Sequence, residues 1–293
     1  MTIALYGRLI HAADAQFVKH LCDYLATKKI DVIVHQPYLD EIRKFVNPHA
    51  AYKTFFSHAD VVSDKVECII SLGGDGTLLD TIALVKDSNI PVLGINAGRL
   101  GFLAIVSRDE IEQAIDAIIN GAYTLDKRTL LQLDSNRELF GNNNFALNEF
   151  TLHKKATSSM IVIHAFLNGE FLTSYWADGL IVSTPTGSTA YNLSCGGPII
   201  VPTSENFVIT PVAPHNLNIR PLVISDNSIL SFEIEGRSDA FLCTLDSRQE
   251  TIDASVQMAV RKADFVLNLI RLHDSNFLET IRTKLNWGKD QRN

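Results

Sequence analysis

The chain has 293 residues, 46% of them hydrophobic and 20% charged, and a formal charge of −7. That length favours two domains, because single cores stop growing at about 250–300 residues. The acidic balance excludes a broad nucleic-acid or anionic-membrane surface, which needs clustered Lys and Arg, but not a small anionic ligand. No stretch reaches the ~18 apolar residues of a membrane span, and Met1–Gly7 lacks the basic start of a signal peptide, so a cytoplasmic protein is expected. The cysteines Cys22, Cys68, Cys195 and Cys243 are sparse and show no paired spacing, so reduced thiols are expected.

In chain order, Ile3–Tyr6 and Val32–Val34 read as strands, followed by apolar runs at Cys68–Leu72 and Pro91–Ile95. Helical spacing marks 13–28, 77–87 and 108–120, with Leu78, Leu79, Ile82 and Val85 in one stretch and Ile111, Ile115, Ile118 and Ile119 in another. Strand–helix alternation predicts an α/β domain with a Rossmann-like parallel sheet covered on both faces. Ligands of such sheets bind beyond the carboxyl ends of the strands.

From about residue 123 the helical period fades. β-rich runs follow at Leu130–Leu133, Met160–Leu167, Leu180–Ser183, Phe207–Val212, Leu222–Ile224, Ile229–Ile234 and Phe241–Leu245, with turns such as Asn168-Gly169, Ser225-Asp226-Asn227 and Glu235-Gly236 between them. An all-β second domain is expected over 123–265. Phe277, Leu278, Ile281 and Leu285, after Asp274, have helical spacing. They predict a C-terminal helix packing back on the first domain, which would then comprise 1–122 with 266–293.

Three segments carry chemistry. In Leu72-Gly73-Gly74-Asp75-Gly76-Thr77 a buried strand meets glycines and then a helix. Glycine permits close backbone approach, and free N–H groups at the helix start suit phosphate oxygens. Asp75 would therefore stand where phosphates lie, a repulsive placement unless it handles a proton or a metal ion. The plainer reading is a tight turn with Asp75 or Thr77 as a helix cap. No Walker lysine follows, and the spacing is not that of a dinucleotide fingerprint.

The second segment, Asp178 through Ser194, ends a strand in Thr184-Pro185-Thr186-Gly187-Ser188-Thr189-Ala190-Tyr191-Asn192-Leu193, before Cys195-Gly196-Gly197-Pro198. Ser188 or Thr189 could cap a short helix there. A hydroxyl-rich connection within a β-domain is the alternative. In the third, Asn148-Glu149 sits between Leu147 and Phe150, as if two polar groups ended a strand. Asn suits an adenine edge and Glu suits ribose hydroxyls; a solvated strand end is the competing reading. His153, His164 and His215 read as surface or satisfied core residues rather than catalysts.

Together, Gly-Gly-Asp-Gly, Asn-Glu and Asp-Gly with Thr-Pro-Thr-Gly-Ser-Thr-Ala-Tyr, in this order, resemble the NAD kinase family, and Gly98-Arg99-Leu100-Gly101-Phe102-Leu103 adds to the likeness. The resemblance implies ATP-dependent phosphorylation of the adenosine-ribose 2′-hydroxyl of NAD, with Asp75 as general base. Gly74, Gly76 and neighbouring amides would hold phosphates. Asn148 would face the adenine, Glu149 a ribose, and Phe102 would pack near the adenine. Thr189, Ala190, Tyr191, Asn192, Leu193 and Ser194 would line the pocket, Asp178 would bind the nicotinamide half, and Ala213 would lie near the nicotinamide. Family members form homodimers or homotetramers.

Trp176 and Arg248, the latter in Asp246-Ser247-Arg248, depart from the residues many relatives carry beside the dinucleotide. They bear on the choice between NAD and NADH. With no basic loop evident for the triphosphate, a divalent ion, Mg²⁺, is expected to carry that charge. A lipid kinase shares the first motif, as does a sugar-phosphate kinase of the phosphofructokinase type. An NAD(P)-binding sensor is the non-enzymatic alternative.

Overall fold

The structure is a computed structural model that describes residues 1–10, 12–46, 52–98, 100–155, 160–236, 240–272 and 276–287. Arg99 and Asp274, used above, lie outside the described residues. The chain divides into two units, Met1–Lys127 with Leu267–Asn293, and Arg128–Val266. All four cysteines are free thiols. No helix among the described residues is long and apolar enough to cross a membrane.

The first unit alternates β1 (Thr2–Gly7), α1 (Ala15–Thr27), β2 (Asp31–His35), α2 (Gln36–Phe45), β3 (Lys53–Phe55), α3 (His58–Ser63), β4 (Cys68–Leu72), α4 (Asp75–Val85), β5 (Val92–Ile95) and α5 (Ile111–Ile119). These strands pair in parallel in the order β3-β2-β1-β4-β5. From β1 the chain builds outward through β2 and β3 on one side and resumes with β4 and β5 on the other. The order therefore reverses between β1 and β4, the position where open α/β sheets bind ligands. Ile3, Leu5, Ile70 and Leu93 of the strands share one core with Val18, Leu21 and Leu25 of α1 and Ile111, Ile115 and Ile118 of α5. These helices bury the stripe that their three- and four-residue spacing predicts.

The second unit holds most of β6 (Thr124–Ser135), then β7 (Phe145–Ala146), β8 (Glu149–Lys154), β9 (Ile161–Leu167), β10 (Glu170–Ala177), β11 (Gly179–Ser183), the single turn α6 (Tyr191–Ser194), β12 (Asn206–Val212), β13 (Leu222–Ser225), β14 (Leu230–Glu235), β15 (Phe241–Leu245), β16 (Arg248–Ile252) and most of β17 (Met258–Arg271). One antiparallel set runs β13-β12-β11-β8-β15-β16, and another runs β10-β9-β14-β17. Both contribute to a single core: Phe150, Leu152, Leu180 and Phe241 from the first, and Ile163, Ala165, Phe232 and Ile234 from the second. The Asn168-Gly169 turn closes the β9–β10 hairpin, both residues having positive φ (52° and 84°), as a tight hairpin requires.

β17 leaves the second unit and ends in the first, where Leu269 pairs in parallel with Val92 of β5. The final helix α7 (Phe277–Leu285) belongs to the first unit. Its Phe277 ring lies 6.4 Å from the Phe102 ring, and the Lys284 ammonium sits 4.9 Å from the Phe102 centroid.

Several elements differ from the sequence expectation. The α2 helix, with Pro37 at its start and Tyr38, Leu39 and Ile42 buried, escaped notice because only those three residues mark its inner face. The α3 turn is short and is fixed by a Ser57–Asp60 capping box. The polar strand β16, Arg-Gln-Glu-Thr-Ile, forms because β15 offers it a partner, not because its own side chains favour a sheet.

In the core of the second unit Phe150 stacks on Phe232 with centroids 5.5 Å apart, both rings being buried. Phe232→Ala is expected to destabilise the protein by about 3–5 kcal/mol, the range for emptying a buried aromatic site. Equilibrium urea unfolding, read as the midpoint shift, checks this.

Candidate active site

In the first unit the site is built where β4 hands over to α4. Gly73 takes a φ of +155°, and a Cβ there would meet Thr77 Oγ1 at 2.4 Å, so glycine is required. Gly74 is the N-cap of α4 and Asp75 its first residue, with no side-chain cap. The expected capping by Asp75 or Thr77 is thus replaced by something else. The Asp75 carboxylate turns to the segment after β5 and accepts three consecutive main-chain N–H groups. Phe102 donates to Oδ2 at 2.8 Å, and Leu103 and Ala104 each donate to Oδ1 at 3.0 Å. A carboxylate has about four lone-pair positions. Both on Oδ1 are taken, and one on Oδ2 remains for an incoming hydroxyl.

Gly101 completes this arrangement. A Cβ at that position would fall 1.9 Å from Asp75 Oδ1. Gly74 and Gly76 are exposed, with open space where a side chain would stand, so their backbone can be approached closely. Phe102 is half-buried and carries Phe277 and Lys284 on its ring, a contact invisible in the sequence.

The second unit repeats the device. Asp246 and Ser247 form the two-residue turn between β15 and β16, with Asp246 at φ 53°, a conformation Asp tolerates. Its side chain is 4% exposed. Its carboxylate accepts the N–H groups of Leu147 at 2.9 Å, Asn148 at 2.7 Å and Glu149 at 3.2 Å. Arg248 Nη2 lies 4.0 Å away. The Arg248 guanidinium donates to the carbonyls of Asn143 and Phe145 and stacks over the Phe145 ring at 5.4 Å. Asp246 and Arg248 together thus fix the backbone of 143–149.

Glu149 opens β8, paired with Ser183 of β11, and Asn148 directly precedes it, so the two begin a strand rather than closing one as expected, and both donate their N–H groups to Asp246. The Asn148 carbonyl accepts from Thr184 N at 2.9 Å, and a Cβ on Gly187 would sit 2.0 Å from that oxygen. This close packing explains Gly187 in the Thr-Pro-Thr-Gly turn. Glu149 is 8% exposed and its Oε2 has no hydrogen-bond partner. Burial, and secondarily the charge of Asp246, push its carboxyl up to about 8, while the N–H of Tyr191 opposes the shift. Burial raises Asp246 as well, but three amide donors stabilise its anion.

The hydroxyl-rich segment divides by role. Ser188 donates to the Pro185 carbonyl at 2.6 Å and accepts from Ile200 N at 2.9 Å, so it caps nothing; nor does Thr189, which donates to the Thr186 carbonyl. Asn192 is fully buried. Its amide donates to the carbonyls of Ser188 and Pro198, both at 3.0 Å, and accepts from Thr210 Oγ1 at 2.6 Å. That side chain pins α6 to β12 and has no face left for a ligand. Ala190 and Leu193 are half-buried, and Tyr191 and Ser194 are exposed. The Tyr191 ring stacks on His153 at 5.6 Å. Asp178 pairs with Lys154 at 2.6 Å, a partner the sequence reading missed.

Ala213 is exposed just after β12, with φ 45°. Trp176 is 54% exposed on β10, and its carbonyl accepts the His215 N–H at 2.8 Å. His164 bonds Ser174 at 2.7 Å.

Two testable outcomes follow from these carboxyls. Gly101→Ala should displace the Asp75 carboxylate and reduce turnover by at least ~10-fold, since misplacement by an ångström costs that much or more; steady-state kinetics checks it. Glu149 has a folded-state value above its unfolded one, so it opposes folding increasingly as pH rises from about 4.5 to about 8. Glu149→Gln should therefore raise Tm relative to the wild type, and the stability difference behind that rise should widen over that range by at most ~1.4 kcal/mol per pH unit. Thermal melts at pH 5, 6.5 and 8 read the difference.

The comparisons with known proteins bear on both units. Residues 3–123 match the family model for the ATP-NAD kinase N-terminal domain, and residues 147–272 match that for the ATP-NAD kinase C-terminal domain. The chain is 48% identical to the NAD kinase of Cytophaga hutchinsonii and 40% identical to that of Bacteroides fragilis, each over all of both chains. Its fold resembles that of yeast NADH kinase complexed with NADH (TM-score 0.87, 24% identity, 99% of this chain and 89% of that one). It also resembles an NAD kinase from Archaeoglobus fulgidus in complex with ATP (TM-score 0.75, 21% identity, 98% of each chain).

Proposed function

Because the chain belongs to the NAD kinase family, we propose that Asp75 is the general base of its reaction, the ATP-dependent phosphorylation of NAD to NADP. The enzyme is a phosphotransferase acting on NAD. The acceptor is the 2′-hydroxyl of the adenosine ribose. Its oxygen forms a bond to the γ-phosphorus as the bond from γ-phosphorus to the β,γ-bridging oxygen breaks, ADP departs, and the hydroxyl proton passes to Asp75 Oδ2. Such transfers depend mostly on alignment and charge stabilisation, with proton removal late.

The observation that supports this role is the geometry of the carboxylate. Three amides fix its orientation at the first residue of α4, and the remaining lone pair of Oδ2 is available to a hydroxyl. The exposed amides of Gly74 and Gly76 are donors for phosphate oxygens. Asn148 would read the adenine and Glu149, as a protonated donor, a ribose oxygen. Phe102 would flank the adenine once its ring is free of Lys284. Tyr191, with Thr189, Ala190, Leu193 and Ser194, would line the dinucleotide pocket. Asp178 and Ala213 would meet the nicotinamide half, with Trp176 nearby.

ATP binds as its Mg²⁺ complex in this reading. Among the described residues no group of three or more His, Cys, Asp or Glu side chains converges on a metal position, so no protein ligand is assigned and the nucleotide's own oxygens would hold the ion. A cytoplasmic homodimer or homotetramer completes the proposal, with 1–122 plus 266–293 as the α/β domain and 123–265 as the β-rich one.

The test is to incubate the purified protein with ATP, Mg²⁺ and either NAD or NADH and to quantify NADP and NADPH. Asp75→Asn should lower kcat by at least ~10²-fold, the low end for removing a general base, with circular dichroism unchanged. Near-wild-type turnover by a folded Asp75→Asn variant would refute the role.

A further inference from the structure

We propose that Arg8 is the cationic contact for the phosphate chain of the nucleoside triphosphate donor, and that Asp80 and Tyr6 hold its guanidinium ready. The proposal rests on the kinase reading and adds to it the positive charge that the glycine loop lacks.

Topology places Arg8 first. The strand order of the first unit reverses between β1 and β4. Gly73 and Gly74 follow the carboxyl end of β4, and Arg8 follows that of β1 directly. Gly7 lets the chain pass at this point, since a Cβ there would lie 2.3 Å from the Tyr38 ring. Arg8 and the glycine loop therefore occupy the two lips of the crevice in which open α/β sheets receive ligands.

The side-chain geometry is that of an oriented donor. Arg8 Nε donates to Asp80 Oδ2 at 2.5 Å and Nη2 donates to Asp80 Oδ1 at 2.6 Å, a two-pronged pairing. The Tyr6 hydroxyl donates to the same Oδ2 at 3.0 Å, so the carboxylate is gripped from two strand-end residues. A guanidinium has five N–H donors in a rigid fork. Asp80 takes two on one edge, where the Tyr6 hydroxyl also bonds the guanidinium, and the side chain is 52% exposed, which leaves donors of its far edge open to a ligand. Such an edge matches phosphate oxygens.

Asp80 stands five residues after Asp75 on α4, roughly 7.5 Å along the helix at 1.5 Å per residue. The guanidinium is thus tied to the helix whose first turn carries the Gly74 and Gly76 amides, and one triphosphate chain can meet both. His35, whose ring packs 4.9 Å from Tyr6, adds no charge here, because burial holds its imidazole below the usual range. Among the described residues, Arg8 is the cation paired with Asp80, and no cation is paired with Asp75.

The simpler role for Arg8 is a staple between β1 and α4, and the two differ in what a variant loses. Arg8→Gln should raise KM for ATP, and Kd for the β,γ-methylene analogue of ATP measured by calorimetry, by ~10–100-fold, the worth of charge-assisted bonds to phosphate. KM for NAD should stay within about threefold of the wild type. Arg8→Lys should recover part of the analogue's affinity, and Asp80→Asn should weaken it by less than Arg8→Gln does. Unchanged analogue affinity in Arg8→Gln, or equal losses for ATP and NAD together with a lowered Tm, would overturn the assignment and leave a staple. Wild-type NADP formation is measured first, and its absence would bring down the parent reading by itself.

Discussion

One interaction sets the site in each unit: a single aspartate that accepts the N–H groups of three successive residues. Asp75 gathers 102–104 and Asp246 gathers 147–149. A main-chain N–H left unpaired away from water is costly, and a run of three in one loop is hard to satisfy with secondary structure. A carboxylate provides enough lone pairs to satisfy all three at once, and its charge strengthens each bond. The result is an irregular segment held as firmly as a strand, carrying Phe102 in one unit and Asn148 with Glu149 in the other.

The two aspartates differ in what remains. Asp246 is enclosed and has Arg248 beside it, so its function ends with the backbone it fixes. Asp75 keeps an open position on Oδ2 at the mouth of a helix with exposed glycine amides. The same pairing chemistry therefore yields a scaffold in one unit and, on our reading, a reactive group in the other. Glu149 belongs to a third condition. It is buried beside a charged neighbour with one oxygen unpartnered, and it resolves that conflict by keeping its proton.

Much of this was legible in the residues. Strand runs such as Cys68–Leu72 and helical stripes such as Ile111, Ile115 and Ile118 are local patterns, and local patterns fixed the α/β and all-β halves. The glycine loop could be read because Gly74 and Gly76 flank an aspartate at a strand-to-helix junction. The aspartate's partners could not. Asp75 reaches residues 27–29 positions away, and Asp246 reaches back about a hundred, and no periodicity encodes such pairs. Asp246 and Asn192 are buried and bond within the protein, and Arg248 bonds main-chain carbonyls about a hundred positions away, contacts that no local pattern shows. Arg8 was missed for a related reason: a lone arginine after a short strand gains meaning only when the strand order reverses beside it and Asp80 comes to meet it.

The path of β17 has a consequence for biosynthesis. The second unit occupies one uninterrupted stretch of chain, 128–266, whereas the first must wait for Leu267 onward to supply Leu269 beside β5 and to seat α7 against Phe102. On the ribosome the later-encoded unit therefore has its full complement of residues before the earlier one does. The amino-terminal half would emerge with the outer side of β5 unpaired, a sheet edge open to wrong partners. A stop codon directly after Val266 would leave residues 128–266 whole while denying the unit that carries Asp75 its last strand.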